Sequence, residues 1–351
     1  MANEVNGRPI KRYTVYEIAE NALQHFDMKG NYMGRMRGRL MYNTRSGIVL
    51  VGEYSGSRER FEARAAVRSA LAAEGISVSC YVKDGEGSYF YESEDSALYT
   101  VCSFSDMDEC DEKKLEDVCT AMRALAALHK AFDKLKLQEI GLNGEEFQIA
   151  RSLVKEYDKH NKELKMIKNY LVGRKTKTDF ELLAVRECPG FFAEGLEALD
   201  RLKASDYEQR LSETVQNNRL CHGDFNYHNI YTDGGEYLIA GFSQMRKDLY
   251  VVDLYNFMRK LMEKYDWDIK MGYLMLREYD CVNTLSAQDV KILGAMFSYP
   301  EKFWKIANHY SHSHKAWLSG RNTEKLSKVV AQEGAREHFL QTLAGKVENR
   351  I

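Results

Sequence analysis

His222-Gly223-Asp224-Phe225-Asn226-Tyr227-His228-Asn229, an H-G-D-x-x-x-x-N string, is the stretch on which the reading of the fold turns. It sits within Arg219 to Phe242, where Tyr231 and Tyr237 to Ala240 read as strands around the turn Thr232-Asp233-Gly234-Gly235. Gly223 permits a tight turn that presents the Asp224 carboxylate, and the His222 imidazole is suited to hydrogen-bond backbone and fix the loop. A carboxylate and an amide five residues apart meet what phosphoryl transfer asks of a loop. Asp224 takes the acceptor proton and Asn229 holds magnesium, because the protein's share of that chemistry is positioning and charge neutralisation. Taken singly, Asp224 reads equally well as a turn former and His222 as a satisfied core histidine.

Outward from the loop, the chain divides by pattern. Thr14 and Glu17 make a T-x-x-E capping box for a helix through Phe26 that ends near Gly30. Tyr32 to Tyr54 reads as two strands around the turn Asn43 to Gly47. Ser57 caps a helix through Ala73, and Ile76 to Tyr81, Ser88 to Glu92 and Ala97 to Phe104 read as short strands. From Asp111 the apolar spacing becomes helical, starting with Leu115, Val118, Met122 and Leu125. After the loop, helices are expected over Val251 to Lys264, Trp267 to Tyr279, Ser286 to Ser298, Pro300 to Tyr310 and Thr323 to Val347. The expected division is an N-lobe over residues 1–105 and a helical C-lobe over 106–351 that carries the hairpin 219–242.

Composition agrees with two folded lobes. The 351 residues exceed what one hydrophobic core comfortably holds. Hydrophobic residues make up 44% and charged residues 29%, with three prolines, which suits a helix-rich folded chain. A formal net charge of -2 gives no overall field to draw in nucleic acid or an anionic membrane, so neither is an expected partner. The seven cysteines show no C-x-x-C spacing, which speaks against a zinc framework or disulfide ladder and for a reducing compartment. No apolar run approaches a membrane span and the start MANEVNGRPIKR lacks a signal-peptide core, so cytoplasmic synthesis is expected.

Leu125-Ala126-Ala127-Leu128-His129 upstream of the loop and Asp253-Leu254 downstream stand in the order of the protein-kinase-like superfamily. Lys177-Thr178-Asp179-Phe180-Glu181, the L-x-x-S-D-Y run Leu202 to Tyr207, and Pro300 to Tyr310 narrow the likeness. With them the chain resembles the CotS family of bacterial spore-coat proteins, in the aminoglycoside and choline phosphotransferase branch of that superfamily. The resemblance implies a bilobal α+β fold with a small antiparallel-sheet N-lobe, and a hinge near Ser103 to Asp106 whose Ser103 and Phe104 would meet a nucleotide. It also implies ATP and Mg2+ as cofactors and a sporulation role with other coat proteins as partners. Asp253 is read as ordering the catalytic loop by accepting its N–H groups; a solvated acid at a helix N-terminus is the plainer reading.

Two positions depart from a working enzyme. Where relatives read I-D-F, this chain has Ile239-Ala240-Gly241-Phe242, so the second metal carboxylate is replaced by Gly241. Where an L-K-x-Y strand is implied, Val49-Leu50-Val51-Gly52-Glu53-Tyr54 puts Gly52 at the phosphate-pairing lysine. The expectation is therefore a pseudokinase with weak or absent nucleotide and Mg2+ binding, recruited to the spore coat. The alternative is an active ATP-dependent phosphotransferase acting on a small-molecule or protein hydroxyl, with Asp233, Gln244 or Asp248 supplying a displaced ligand. Glu59 and Glu62 read as surface acids, and Gly30, Gly34 and Gly38 do not form G-x-G-x-x-G. His309, His312 and His314 have H-x-x-H-x-H spacing with no adjacent acid, a polar connector rather than a metal site.

Overall fold

A computed structural model describes residues 13–312 and 319–347. The chain forms two compact units. The first comprises the chain through Glu109 together with Leu135–Glu146 and Ile230–Ala240; the second holds Cys110–Lys134, Phe147–Asn229 and everything from Gly241 onward. A single break near residue 105 is what the sequence suggests, whereas the hairpin 230–240 joins the first unit because its strands pair there.

In the first unit Thr14 caps α1 (Val15–His25), with Thr14 Oγ1 and the Glu17 carboxylate closing the box reciprocally. Three strands follow where two are expected: β1 (Gly30–Met36), β2 (Arg39–Thr44) and β3 (Gly47–Tyr54). The extra turn is at Arg37-Gly38, both at positive φ, which suits the tight hairpin that a right-twisted ribbon needs. Ser57 caps α2 (Arg58–Ala73). Next come β4 (Tyr91–Glu92), β5 (Leu98–Phe104) and β6 (Asp108–Glu109), while Ile76 to Tyr81 contributes only isolated bridges at Val78 and Tyr81.

The antiparallel sheet runs β1-β2-β3-β5-β4. Strict alternation splits it into two apolar faces. Leu40, Tyr42, Val49, Val51, Tyr99 and Val101 pack under α1, whereas Leu50, Cys102 and Phe104 pack on Tyr231 and Leu238. The last two belong to β8 (Ile230–Asp233) and β9 (Glu236–Ile239), which extend a second sheet in the order β6-β8-β9.

The second unit is helical. α3 (Leu115–Lys134) buries Val118, Met122, Leu125, Leu128 and Phe132. α4 (Leu153–Gly173) and α5 (Asp179–Lys203) share a core with Phe303, Ile306 and Leu326. α6 (Tyr207–Gln216) leads to β7 (Leu220–Cys221), which pairs with β10 (Arg246–Lys247). The remaining helices are α7 (Tyr250–Met262), α8 (Ile269–Asp280), α9 (Ala287–Ser298), α10 (Glu301–His312), α11 (Ser319–Ala331) and α12 (Glu333–Val347). One helix is expected where α11 and α12 stand. The chain breaks at Gln332, whose side-chain amide donates to the Glu263 carbonyl at 3.0 Å. No helix among the described residues is long and apolar enough to cross a membrane.

Candidate functional site

The loop after β7 is shaped by one buried acid. Asp253, fully buried in the first turn of α7, accepts the His222 N–H at 2.8 Å through Oδ2 and the Gly223 N–H at 2.9 Å through Oδ1. His129 on α3 reaches the same Oδ2 at 3.4 Å, with its Nδ1 on the Tyr279 hydroxyl at 2.7 Å and its ring stacked on Tyr250. Burial works against the Asp253 charge, but the two imidazoles and Arg246 outweigh it and hold the carboxyl below its ordinary value. These contacts fix the start of the loop from α3 and α7 at once.

Gly223 has no room for a side chain. It lies at φ +80°, and a Cβ there would come within 2.0 Å of the Gln244 carbonyl. Its own carbonyl accepts from Arg246 Nη1 at 2.9 Å, and Arg246 also grips Asp248 Oδ2 through Nε and Nη2 at 3.0 and 2.8 Å. Arg246 is a loop-positioning residue with no local signal in the chain, because its partner is 23 residues away. His222 is wholly buried and its Nδ1 accepts the Asp224 N–H at 3.2 Å.

Asp224 is half-buried and both of its carboxylate oxygens are engaged. Asn226 Nδ2 donates to Oδ1 and Asn229 Nδ2 donates to Oδ2, each at 3.0 Å. Both amides also donate to the Asp224 main-chain carbonyl, at 2.9 and 2.8 Å. The two residues that the spacing pairs are thus in direct contact, and Asn226 is a third member of the cluster.

Gly241 closes on this cluster. It sits at φ +78°, and a Cβ built on it would lie 2.4 to 2.7 Å from the Asn229 side-chain atoms. The space a second carboxylate would need is filled by the Asn229 amide. Of the displaced ligands considered, Asp248 is buried against Arg246, Gln244 is exposed in a short turn, and Asp233 is an exposed residue at the end of β8 in the first unit. The loop itself offers a divalent cation the Asp224 carboxylate, whose oxygens accept amide protons, and the Asn229 side-chain oxygen.

In the first unit, Gly52 has an ordinary strand conformation opposite Thr100 on β5. The side chain of Arg39 on β2 lies across it: a Cβ at Gly52 would meet Arg39 Cγ at 2.6 Å. The Arg39 guanidinium reaches Thr100 Oγ1 at 3.3 Å and Cys102 Sγ at 3.9 Å and lies over the Tyr81 ring at 5.8 Å, with no carboxylate among the described residues in ion-pair range. A cation thus lies over the glycine, supplied by the neighbouring strand. Ser103, the next-to-last residue of β5, has its N–H on the Cys80 carbonyl at 2.7 Å, and Phe104 packs edge-on against Tyr231. Glu59 and Glu62 are exposed on α2.

His309 and His312 lie on α10, where His312 Nδ1 faces the Asn308 carbonyl at 2.8 Å; His314 lies outside the described residues. No group of three or more His, Cys, Asp or Glu side chains disposed to hold a metal occurs among the described residues.

A family model described as spore coat putative kinase YutH matches residues 19–343. Spore coat protein S of Bacillus subtilis (strain 168) is 26% identical over 166 residues, a match spanning 47% of each chain, so under half of that relative's length is covered. Among solved structures, an aminoglycoside phosphotransferase from Alicyclobacillus acidocaldarius superposes with a TM-score of 0.81 at 15% identity, covering 98% of this chain and 99% of that one. The amicoumacin kinase hAmiN, in complex with AMP-PNP, Ca2+ and Ami, gives 0.57 at 13% identity, covering 93% and 94%. The fold is the bilobal α+β fold of the protein-kinase-like phosphotransferases.

Proposed function

The chain belongs to the spore coat putative kinase YutH family, and from that membership and the loop geometry we propose that it is a pseudokinase, a kinase-like binding or assembly protein of the spore coat. The observation that carries the reading is the closure of Gly241 on Asn229, which occupies the space of the missing metal carboxylate. Losing such a ligand removes about 3 to 5 kcal/mol of transition-state stabilisation, or roughly two to four powers of ten in rate. ATP and Mg2+ are held weakly or not at all in this reading. The partners are other coat proteins, which the chain joins after cytoplasmic synthesis.

Purified protein incubated with ATP and Mg2+ tests this directly. Phosphate release and transfer should stay at background and be the same in Asp224→Asn. Turnover that requires Mg2+ and is abolished by Asp224→Asn would overturn it. One observation favours the second reading, an active phosphotransferase on a small-molecule or protein hydroxyl: Arg39 offers an uncompensated cation at Gly52. That reading predicts nucleotide-dependent thermal stabilisation lost in Arg39→Gln.

A further inference from the structure

Six lysines converge on one concavity of the second unit. Lys260 on α7 and Lys264 just beyond it, Lys302 and Lys305 on α10, and Lys325 and Lys328 on α11 line a cavity of about 610 Å3. Glu263 is the one acid in the lining. Helical spacing produces the arrangement, because residues three or four apart share a face and three such faces meet here. A volume of this size suits a small molecule rather than a polymer.

Several of these charges have partners. Lys264 pairs with Glu112 at 2.5 Å, Lys302 with Glu263 at 2.8 Å, Lys328 with Asp266 at 3.7 Å, and Lys305 with Glu301. Lys260 and Lys325 have no carboxylate in ion-pair range among the described residues. Lys260 is half-buried, and desolvation lowers its pKa; Arg259 and Lys305 add to this against the pull of Asp224 and Glu263. A cation held at that cost, beside others, is relieved by an anion.

A second feature of the lining points to a ligand. Asn322 is 4% exposed, and its amide nitrogen is buried with no hydrogen-bond partner, a costly state for a donor. Tyr227, from the loop that carries Asp224, also lines the cavity, with its hydroxyl on Lys264 Nζ at 2.8 Å. The concavity therefore adjoins the loop, whose Asp224 carboxylate acts on Lys260 without lining the cavity.

We infer that this cavity binds a compact polyanion, a small molecule carrying several phosphate or carboxylate groups. The inference goes beyond the pseudokinase reading and does not depend on it.

Titration calorimetry at low salt, without nucleotide or Mg2+, tests it with two probes, tripolyphosphate and citrate. At least one should bind, and the Lys260→Gln/Lys325→Gln variant should weaken that binding about ten-fold or more. Lys325 is exposed, so Lys325→Gln alone serves if the double variant melts early. Tripolyphosphate alone binding assigns a phosphate source, citrate alone a carboxylate source, and both a general polyanion; each supports the inference. The control Lys270→Gln/Lys291→Gln removes the same charge from exposed sites outside the cavity lining. No binding of either probe, or equal weakening in the control, would overturn it. Neither result bears on ATP turnover, so the two readings fail separately.

Discussion

The two glycines on which the pseudokinase reading rests differ in kind. Gly52 has strand geometry and is crowded by a long flexible side chain, that of Arg39. Gly241 holds a left-handed conformation and is crowded by the buried Asn229 amide, which is tied to Asp224. A lysine at 52 displaces Arg39 and gains strand propensity, so Gly52→Lys should change unfolding free energy by about 1 kcal/mol or less. An aspartate at 241 pays for a left-handed backbone and dislodges Asn229, and Gly241→Asp should cost about 2 kcal/mol or more. Urea unfolding of the two variants checks the contrast; equal effects would refute it. Gly241→Asp should also leave phosphate release at background, because the restored acid arrives without room to face the loop. Sequence spacing was enough to put Asp224 and Asn229 on one loop. The role of Arg39 was not legible, since it depends on cross-strand register between residues 13 positions apart, which no local pattern carries.

At the scale of elements, the pieces most particular to the family are structural. Thr178 and Glu181 of the K-T-D-F-E run close a capping box on α5. In the run from Pro300, Phe303 stacks on Phe191, Trp304 Nε1 donates to Glu163 at 2.8 Å, and Glu301 ties the first turn of α10 to α7 by accepting from Tyr255 at 2.7 Å. Burial opposes the Glu301 charge, but Arg259, Lys305 and the Tyr255 hydroxyl hold its carboxyl down to about 2. A folded pKa below the unfolded one means that the stabilisation is present above about pH 4 and is lost as pH falls toward 2. Glu301→Gln should therefore cost about 3 kcal/mol at pH 6, with the gap to the parent narrowing as pH drops below 4. Urea midpoints at pH 6, 4 and 3 read it, and a gap independent of pH would sink it. Capped helices were the readable elements: Thr14, Ser57 and Ser286 each stand where a helix begins. Breaks set by distant partners were not readable, as at Gln332, whose amide is drawn to a carbonyl 69 residues away. The Arg37-Gly38 turn was missed for a different reason, because Arg at a positive φ is not a turn signal.

At the scale of the molecule, neither unit is a continuous stretch of chain. The first unit takes its second sheet from residues 230–240 and a short helical turn, Leu137–Ile140, that packs against α2. The face made by Leu50, Cys102 and Phe104 is covered by Tyr231 and Leu238, more than a hundred residues further along the chain. A fragment ending at Glu109 keeps α1, α2 and the five-stranded sheet but leaves that face bare and β6 without its partner Tyr231-Thr232. Exposed apolar sheet surface beside an unpaired strand drives association rather than folding. The fragment should therefore lack a cooperative urea transition and aggregate at micromolar concentration, whereas the same fragment joined through a short Gly-Ser linker to residues 230–240 should recover a measurable transition. Circular dichroism with urea titration and light scattering separate the outcomes. A cooperative, monomeric fragment without the hairpin would show that the long-range strands decorate the first unit and are not required to complete it.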